Sequence, residues 1–379
     1  MPALAVILPH GLETTCLLRG GRCRLMNRQQ QQVIEYFGTE NQVLREKLGG
    51  TETVTARGCP AMSENKQSLL ADLEFLCDPA LDGRAPGSTG HLKVQDFLRS
   101  RLTELGLRPL FAGSYDQPVF AGRQEVGRNL CGLIPGAGNG TILLGAHYDH
   151  FAGVQGADDN AAAVAILLEL AGRLGQWSGQ SSLAICMFDL EEPPHFLGPT
   201  MGSNWFVRHC PLAPQQIKCA IILDLCGHDV PIAGAENVLF ATGAEYSGDL
   251  MQVVQKADTD ELPMLMVRNQ LIGDMSDHHA FRMWGLPFLF LSCGWWKHYH
   301  QPTDTFEKLN LAKTGRIAHM LAKLVRQMDT TSVRLTPSPD FLKCEARAFK
   351  RLTGIAVSPD GESLREAARQ VMSMLLAHE

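Results

Sequence analysis

Four short apolar segments constrain the fold of this chain most strongly. They are rich in Ile, Leu, Val and Phe, and they occupy residues 141–146, 183–190, 220–225 and 286–291. Segments with helical periodicity, including residues 161–174 and 247–257, separate them. Short apolar runs that alternate with helices are typical of strands buried on both faces. The pattern therefore predicts an α/β fold whose central, mostly parallel or mixed sheet is covered by helices on both faces.

The chain is predicted to have three parts. Residues 1–61 contain a glutamine run and apolar residues at helical spacing between 33 and 48, which predict an N-terminal extension with an amphipathic helix and a linker. Residues 62–335 hold the alternating pattern and predict the main domain. Residues 336–379 begin with a proline-containing linker and predict a C-terminal helical tail packed on the core, with a helix around 363–376.

Composition and charge argue against several classes of protein. With 34 Lys and Arg against 40 Asp and Glu, the formal net charge is −6, which argues against a nucleic-acid partner. No segment approaches the roughly 18 consecutive apolar residues of a membrane span, and the apolar run at 3–8 is too short for a secretory signal. We therefore predict a cytoplasmic protein without a membrane partner. The 11 cysteines form no CxxC pair, which argues against a disulfide framework and a thiolate zinc site.

Charged and imidazole side chains cluster where the predicted strands end. The strand ends and the loops that follow them carry His147, Asp149, Asp158, Asp159, Glu191, Glu192, Asp224 and His300. Because ligands collect beyond the carboxyl ends of the strands in such sheets, we expect these side chains to converge at one edge. A single histidine there is more often structural, and an Asp pair before a helix is more often an N-cap. Their joint placement favours a functional cluster.

A buried cluster of carboxylates is unfavourable without a cation, since like charges repel and burial disfavours the ionised forms. Imidazole and carboxylate ligands without cysteine suit zinc best. Several carboxylates with only two histidines favour two ions over one, held about 3.5–4 Å apart by a bridging carboxylate. The predicted cofactor is therefore two Zn²⁺ per chain.

Six motifs resemble those of the di-zinc aminopeptidase family and occur in that family's order. They are Gly145-Ala146-His147-Tyr148-Asp149, Gly156-Ala157-Asp158-Asp159-Asn160-Ala161, Asp189-Leu190-Glu191-Glu192, Leu223-Asp224-Leu225, Ser276-Asp277-His278 and Tyr299-His300-Gln301-Pro302-Thr303-Asp304-Thr305. A loop at 83–88 that contains Arg84 is a seventh, weaker match. The resemblance covers about residues 63–330, and the family includes bacterial leucyl aminopeptidases, glutamate carboxypeptidases and glutaminyl cyclases. It implies a zinc exopeptidase-like catalytic domain at 62–335.

The resemblance also implies a role for individual residues. The implied zinc ligands are Asp159 as the bridge, His147 and Asp224 on one ion, and Glu192 and His300 on the other. Glu191 would be the general base that takes a proton from the attacking water. Asp149 fits a partner that orients the imidazole of His147 and is not counted as a ligand. The possible substrate-pocket residues are Tyr299, His278 and Trp295.

The predicted activity is the removal of N-terminal residues from peptides, so peptide substrates are the expected partners. Cyclisation of N-terminal glutamine by a single-zinc enzyme is an alternative, because glutaminyl cyclases resemble the same frame. Such cyclases typically have Thr where this chain has Asp158 and Trp where it has Tyr299, which favours the peptidase. A metal-free binding module is a third alternative, but it requires loss of the ligands, and the sequence retains all of them. The sequence predicts no oligomeric state.

Overall fold

The computed structural model of the protein describes residues 14–19, 22–27 and 64–376. The chain divides into two units, Met1–Pro60 and Ala61–Glu379. In the first unit, β1 (Thr14–Arg19) and β2 (Arg22–Asn27) pair antiparallel, with Thr14 opposite Asn27. The helix predicted between residues 33 and 48 lies outside the described residues.

A nine-stranded mixed sheet forms the centre of the second unit. Its strands are β3 (Arg108–Pro109), β4 (Asp116–Ala121), β5 (Gln124–Ile134), β6 (Thr141–His147), β7 (Ser182–Phe188), β8 (Ile217–Leu223), β9 (Leu239–Thr242), β10 (Met264–Met266) and β11 (Phe288–Ser292). They lie in the order β10-β9-β11-β8-β6-β7-β5-β3, and β4 pairs with β5. The central strands β11, β8, β6 and β7 are parallel, whereas β9 joins β11 and β5 joins β7 antiparallel. The predicted mixed sheet is therefore confirmed.

Helices cover this sheet on both faces. They are α1 (Glu64–Leu76), α2 (Thr89–Glu104), α3 (Ala162–Arg173), α4 (Gly202–His209), α5 (Gly248–Ala257), α6 (Asn269–Ile272), α7 (His278–Met283), α8 (Leu311–Thr330), α9 (Phe341–Thr353) and α10 (Gly361–Leu376). Side-chain hydroxyl and amide groups begin three of them: Ser88, Ser247 and Asn310 accept backbone N–H bonds in the first turns of α2, α5 and α8.

Two apolar cores lie on the two faces of the sheet, because successive strand residues point to opposite sides. Leu144 of β6 and Ile185 of β7 belong to the larger core, which includes residues of α1, α3, α5, α8, α9 and α10. Leu143 of the same strand belongs to the smaller core, with Phe206 of α4 and Phe281 of α7. The double-sided helical cover was predicted from the apolar segments and is confirmed.

The C-terminal region contributes to the larger core. The predicted helix around 363–376 corresponds to α10, whereas α9 was not predicted. Phe349 of α9 and Val371 of α10 are both buried members of that core. Among the residues that the structure describes, no helix combines the length and apolar character needed to cross a bilayer.

Candidate metal centre

The carboxyl ends of three neighbouring strands place charged side chains next to one another. His147 is the last residue of β6, and Asp224 directly follows β8. Glu191 and Glu192 follow β7 after a two-residue turn. Since β7 and β8 are both parallel neighbours of β6, their carboxyl ends lie at the same edge. This is the convergence that the strand-end motifs predicted.

The turn Ala157–Ala161, which opens α3, carries Asp159 into the cluster. The buried guanidinium of Arg84 stabilises this turn, because its N–H groups donate to the main-chain carbonyls of Gly156 at 2.9 Å and Asp159 at 3.3 Å. The same guanidinium donates to the carbonyl of Tyr148 at 2.8 Å. A planar group with five donors can hold several carbonyls at once. The weak match at 83–88 thus contains the residue that ties β6 to the turn.

Asp304 holds the same turn by accepting hydrogen bonds from the turn's backbone N–H groups. Its carboxylate accepts hydrogen bonds from the backbone N–H of Asp158 at 2.9 Å and of Asp159 at 3.1 Å. The carboxylate of Asp158 points away from the cluster, where it accepts bonds from Gly227 N at 2.6 Å and from His228 Nδ1 at 2.7 Å. Asp158 therefore shapes the loop.

Three side chains form a first potential metal-binding triad: His147, Asp159 and Asp224. The Nε2 atom of His147 lies 3.2 Å from Asp159 Oδ1 and 3.6 Å from Asp224 Oδ1. Ligand atoms on a tetrahedral zinc ion are about 3.3 Å apart, given zinc–ligand bonds of about 2.0–2.1 Å. The spacing therefore fits one zinc ion.

A second group lies on the other side of Asp159. The Nε2 atom of His300 is 3.1 Å from Asp159 Oδ2 and 3.4 Å from Glu192 Oε2, which again fits zinc-ligand spacing. Asp159 thus presents one carboxylate oxygen to each group. The five ligands implied by the family resemblance are all brought together, and Asp159 lies between His147 and His300.

The donor atoms have the chemistry that zinc requires. His147 donates its Nδ1–H to the backbone carbonyl of Asp149 at 3.2 Å, which leaves the lone pair of Nε2 facing the cluster. His147 Nε2, Asp159 Oδ2 and Asp224 Oδ1 are buried, and among the described residues they form no hydrogen bond of good geometry, although each lies within 3.6 Å of another atom of the cluster. Such atoms are costly to bury unpaired. Imidazole and carboxylate donors in this arrangement fit zinc.

Burial and neighbouring charges set the protonation of the cluster. Burial raises the pKa of the Glu191 carboxyl well above its usual range, a shift that His147 opposes and Glu192 reinforces. Burial acts in the same direction on Glu192, but the charge of His300 and hydrogen bonds from His150 and His300 together outweigh it and lower the pKa of Glu192 to about 2. In return, Glu192 raises the pKa of His300 to about 10 despite the desolvation of the imidazole. Divalent cations can replace such imidazole protons, since zinc ligands must be deprotonated.

Glu191 lies beside the ligands without joining either group. Its Oε2 atom is 4.0 Å from Nε2 of His147, farther than the atoms that share a triad with that nitrogen. The backbone N–H groups of Glu191 and Glu192 donate to the two carboxylate oxygens of Asp149, each at 3.1 Å. The contact that orients His147 therefore comes from the backbone carbonyl of Asp149. The carboxylate of Asp149 instead holds the backbone of Glu191 and Glu192, a role that sequence spacing alone did not indicate.

His150 belongs to the centre, although the sequence motifs did not include it, and with Asp159 and Glu192 it forms a second group of side chains that could hold a metal ion. It is fully buried, and its Nδ1 donates to Glu192 Oε1 at 2.8 Å, while Asp159 Oδ2 is 3.8 Å away. The 2.8 Å separation is a hydrogen-bond distance and is shorter than the spacing of two ligands on one zinc ion. His150 therefore orients Glu192 so that its other oxygen faces His300.

A glycine makes room for this imidazole. A Cβ atom added to Gly156 would lie 2.4 Å from Cδ2 of His150 and 2.6 Å from its Cγ. Gly156 also has a positive φ of 56°, so the position favours glycine twice over. The signal that could have indicated His150 is its position one residue beyond the motif that ends at Asp149, close to a glycine in the following loop.

We expect the hydrogen bond from His150 to strengthen zinc binding. His150→Leu removes the donor and should weaken the Glu192 zinc site by about 10- to 100-fold, whereas His150→Asn keeps an N–H donor near the same place and should retain most of the affinity. Zinc affinity is measured by competition with a chromogenic chelator, with His209→Leu on the exposed face of α4 as the control. If His150→Asn lost zinc as fully as His150→Leu, His150 would be a direct ligand instead.

The predicted pocket residues lie in two different places. Trp295 and Tyr299 line an apolar cavity beside Asp224, and their ring centroids are 4.5 Å apart. His278 is not among the residues that line this cavity in the described part of the chain. Its ring stacks on Phe290, with centroids 4.2 Å apart, and burial lowers its pKa to about 4. His278 is thus placed in the packing between α7 and the sheet.

Comparison with protein families places these residues in a known context. The model described as peptidase family M28 matches residues 129–325, a range that contains all five implied ligands and Glu191. An Escherichia coli K12 protein, the uncharacterized protein YfbL, is 28% identical over 236 residues, which cover 54% of this chain and 71% of that protein. A glutaminyl-peptide cyclotransferase-like protein of Mus musculus is 27% identical over 286 residues, which cover 64% of this chain and 72% of that protein.

Solved structures share the architecture. A leucine aminopeptidase precursor from Bacteroides thetaiotaomicron superposes with a TM-score of 0.54 at 18% identity, covering 69% of this chain and 96% of that one. At this level of identity the match shows a common fold and no more. It confirms the zinc exopeptidase-like architecture that the motifs implied.

Proposed function

Because this chain belongs to peptidase family M28, a family of metallopeptidases, we propose that its buried cluster binds two zinc ions and removes N-terminal residues from peptides. The observation that carries the proposal is the position of Asp159 between two groups of zinc-ligand atoms, with His147 at 3.2 Å on one side and His300 at 3.1 Å on the other. A carboxylate between two such groups is suited to bridging two cations.

Bound zinc would polarise the scissile carbonyl and make a water molecule easier to deprotonate near neutral pH. The residues of the chain supply the proton transfer. The Glu191 carboxyl lies outside both ligand groups, and burial raises its pKa well above that of an ordinary glutamate, which favours proton uptake by this carboxylate. Glu191 would take the proton of the attacking water and pass it to the leaving amine.

Glutaminyl cyclisation is the second candidate, and the Mus musculus relative favours it by its name. In that reaction the α-amine of an N-terminal glutamine attacks its own side-chain amide, ammonia leaves, and no water is added. Glu191 could serve this reaction too, since it would move a proton from the amine to the leaving ammonia. The two reactions therefore share a site and differ in the nucleophile.

Product analysis separates the two candidates. The zinc-loaded full chain is incubated with the peptides Leu-Gly-Gly and Gln-Gly-Gly, and the products are identified by mass spectrometry while zinc per chain is measured by atomic emission. We expect free leucine and about two zinc ions per chain. Loss of ammonia from the glutamine peptide without cleavage of either peptide, together with one zinc ion per chain, would replace the peptidase with the cyclase.

A further inference from the structure

His228 connects segments of the chain that carry different zinc ligands. It lies in the segment after β8, shortly beyond Asp224, and its side chain is fully buried. Its Nδ1–H donates to Asp158 Oδ2 at 2.7 Å. A hydrogen bond to a carboxylate is charge-assisted and stronger than one between neutral groups. Because Asp158 directly precedes Asp159, this bond ties the segment after β8 to the turn that carries Asp159.

A glycine lets the two segments approach closely. The backbone N–H of Gly227 donates to the other carboxylate oxygen of Asp158, Oδ1, at 2.6 Å. A Cβ atom added to Gly227 would lie 3.0 Å from that oxygen and 2.8 Å from the Cβ of Ala162. A larger residue would therefore push the segment away from the turn. Both oxygens of Asp158 are thus bonded to consecutive residues of the segment after β8.

The main chain of His228 is itself held by α8. The buried amine of Lys313 donates to the carbonyl of His228 at 2.9 Å and to that of Glu236 at 2.8 Å. The carbonyl of Gly227 accepts a hydrogen bond from the backbone N–H of Asn310 at 2.7 Å, at the start of the same helix. A side chain can position others only when its own place is fixed. The backbone contacts with α8 meet this condition for His228.

The ring of His228 makes a second contact, with the loop that carries His300. It stacks on the indole of Trp296, with ring centroids 4.5 Å apart and planes inclined by 13°. Trp296 lies between the end of β11 and His300. Contacts between aromatic rings stabilise particular relative orientations. The stack therefore restricts where the loop with His300 can lie.

We propose that His228 is a positioning residue of the metal centre: its N–H holds the turn of Asp159, and its ring holds the loop of His300. Together the two contacts set the 3.1 Å spacing between His300 Nε2 and Asp159 Oδ2. His228 itself belongs to neither potential metal-binding group among the described residues. The inference rests on the proposed zinc binding and specifies how the two ligand groups are held together.

The two contacts can be removed one at a time. His228→Phe keeps a ring against Trp296 but has no N–H to donate to Asp158. His228→Asn keeps an N–H donor near the place of Nδ1 but has no aromatic ring. The matched control is His319→Phe, because His319 is exposed on α8.

Amide hydrogen exchange, followed by mass spectrometry on the full chain with and without zinc, measures the two contacts separately. His228→Phe should speed exchange in the turn 157–161 by about tenfold, whereas His228→Asn should speed it by about tenfold in the loop 294–301. His319→Phe should leave both segments unchanged. A residue that only filled space in the core would affect the two segments alike in both variants.

Zinc retention against increasing concentrations of a chelator is the second measurement. His228→Phe should weaken the binding of both ions by about 10- to 100-fold, since Asp159 serves both ligand groups. His228→Asn should weaken only one ion by that factor, because His300 serves the second group alone. The control should retain zinc as the wild type does.

Trp296→Leu keeps the test informative if a His228 variant does not fold, since it removes the ring contact from the other side. It should reproduce the exchange and zinc results of His228→Asn. Wild-type exchange in both segments of the variants, or the same change in both segments for His228→Phe and His228→Asn, would overturn the positioning role. A wild type that binds no zinc while its variants show the expected exchange pattern would instead overturn the proposed function and support the contacts of His228.

Discussion

The Glu191→Gln variant is expected to retain zinc and to lose about 10²- to 10⁴-fold in kcat. Glutamine has nearly the same shape as glutamate, but its amide cannot take a proton from water. Glu191 lies 4.0 Å from the ligand atom of His147 and belongs to neither ligand group, so zinc affinity should remain close to that of the wild type. Steady-state kinetics and zinc content measured on the same preparation test both expectations.

Glu307→Gln is the matched control, since Glu307 is exposed and lies outside the cluster. It should leave kcat unchanged. Parental activity in Glu191→Gln would show that another group transfers the proton. Loss of one zinc ion from this variant would instead identify Glu191 as a ligand.

Asp159→Ala should remove both zinc ions and abolish measurable activity, because each oxygen of this carboxylate faces a different histidine. Asp224→Ala should remove one ion only, since Asp224 takes part in the first triad alone. Atomic emission measures the number of zinc ions per chain, which should be two in the wild type, one in Asp224→Ala and none in Asp159→Ala. A ligand that binds only the native state stabilises it by about 4 kcal/mol when its free concentration is about 1,000-fold above Kd.

Thermal melting gives an independent check on the same variants. Zinc should raise the Tm of the wild type and leave that of Asp159→Ala unchanged. Retention of one zinc ion by Asp159→Ala would show that the two groups bind separately and that Asp159 does not bridge them. Circular dichroism tests whether the variant remains folded, so that loss of zinc is not confused with unfolding.

The central strands could be predicted from sequence because burial on both faces makes them continuous apolar segments. β6 begins at Thr141 as predicted, and β7, β8 and β11 differ from the predicted bounds by a few residues. The antiparallel pair β4 and β5 was missed, because exposed polar residues such as Gln124 and Glu125 break the apolar pattern of the two strands. α9 was missed because prolines precede it, although Phe341, Phe349 and Leu352 recur at helical spacing.

The candidate site could be predicted to the extent that it follows from strand ends. His147, Glu192 and Asp224 converge because parallel strands end at one edge. His150 could not be placed in this way, since its contact with Glu192 depends on a loop conformation and on the space above Gly156. Long-range contacts of this kind have no periodic signal in the sequence. The same holds for Val371 and Leu375 of α10, which line the cavity beside Asp224 although they lie far along the chain from the ligands.

The turn that carries Asp159 is shaped by Arg84 on one side and Asp304 on the other, through bonds to its main chain. These bonds do not involve the carboxylate that faces the two histidines. The conformational entropy that a flexible loop would lose when it binds an ion is therefore already lost when the chain folds. A preorganised loop of this kind can bind a metal ion tightly with few ligands, and it can lose and rebind the ion without refolding.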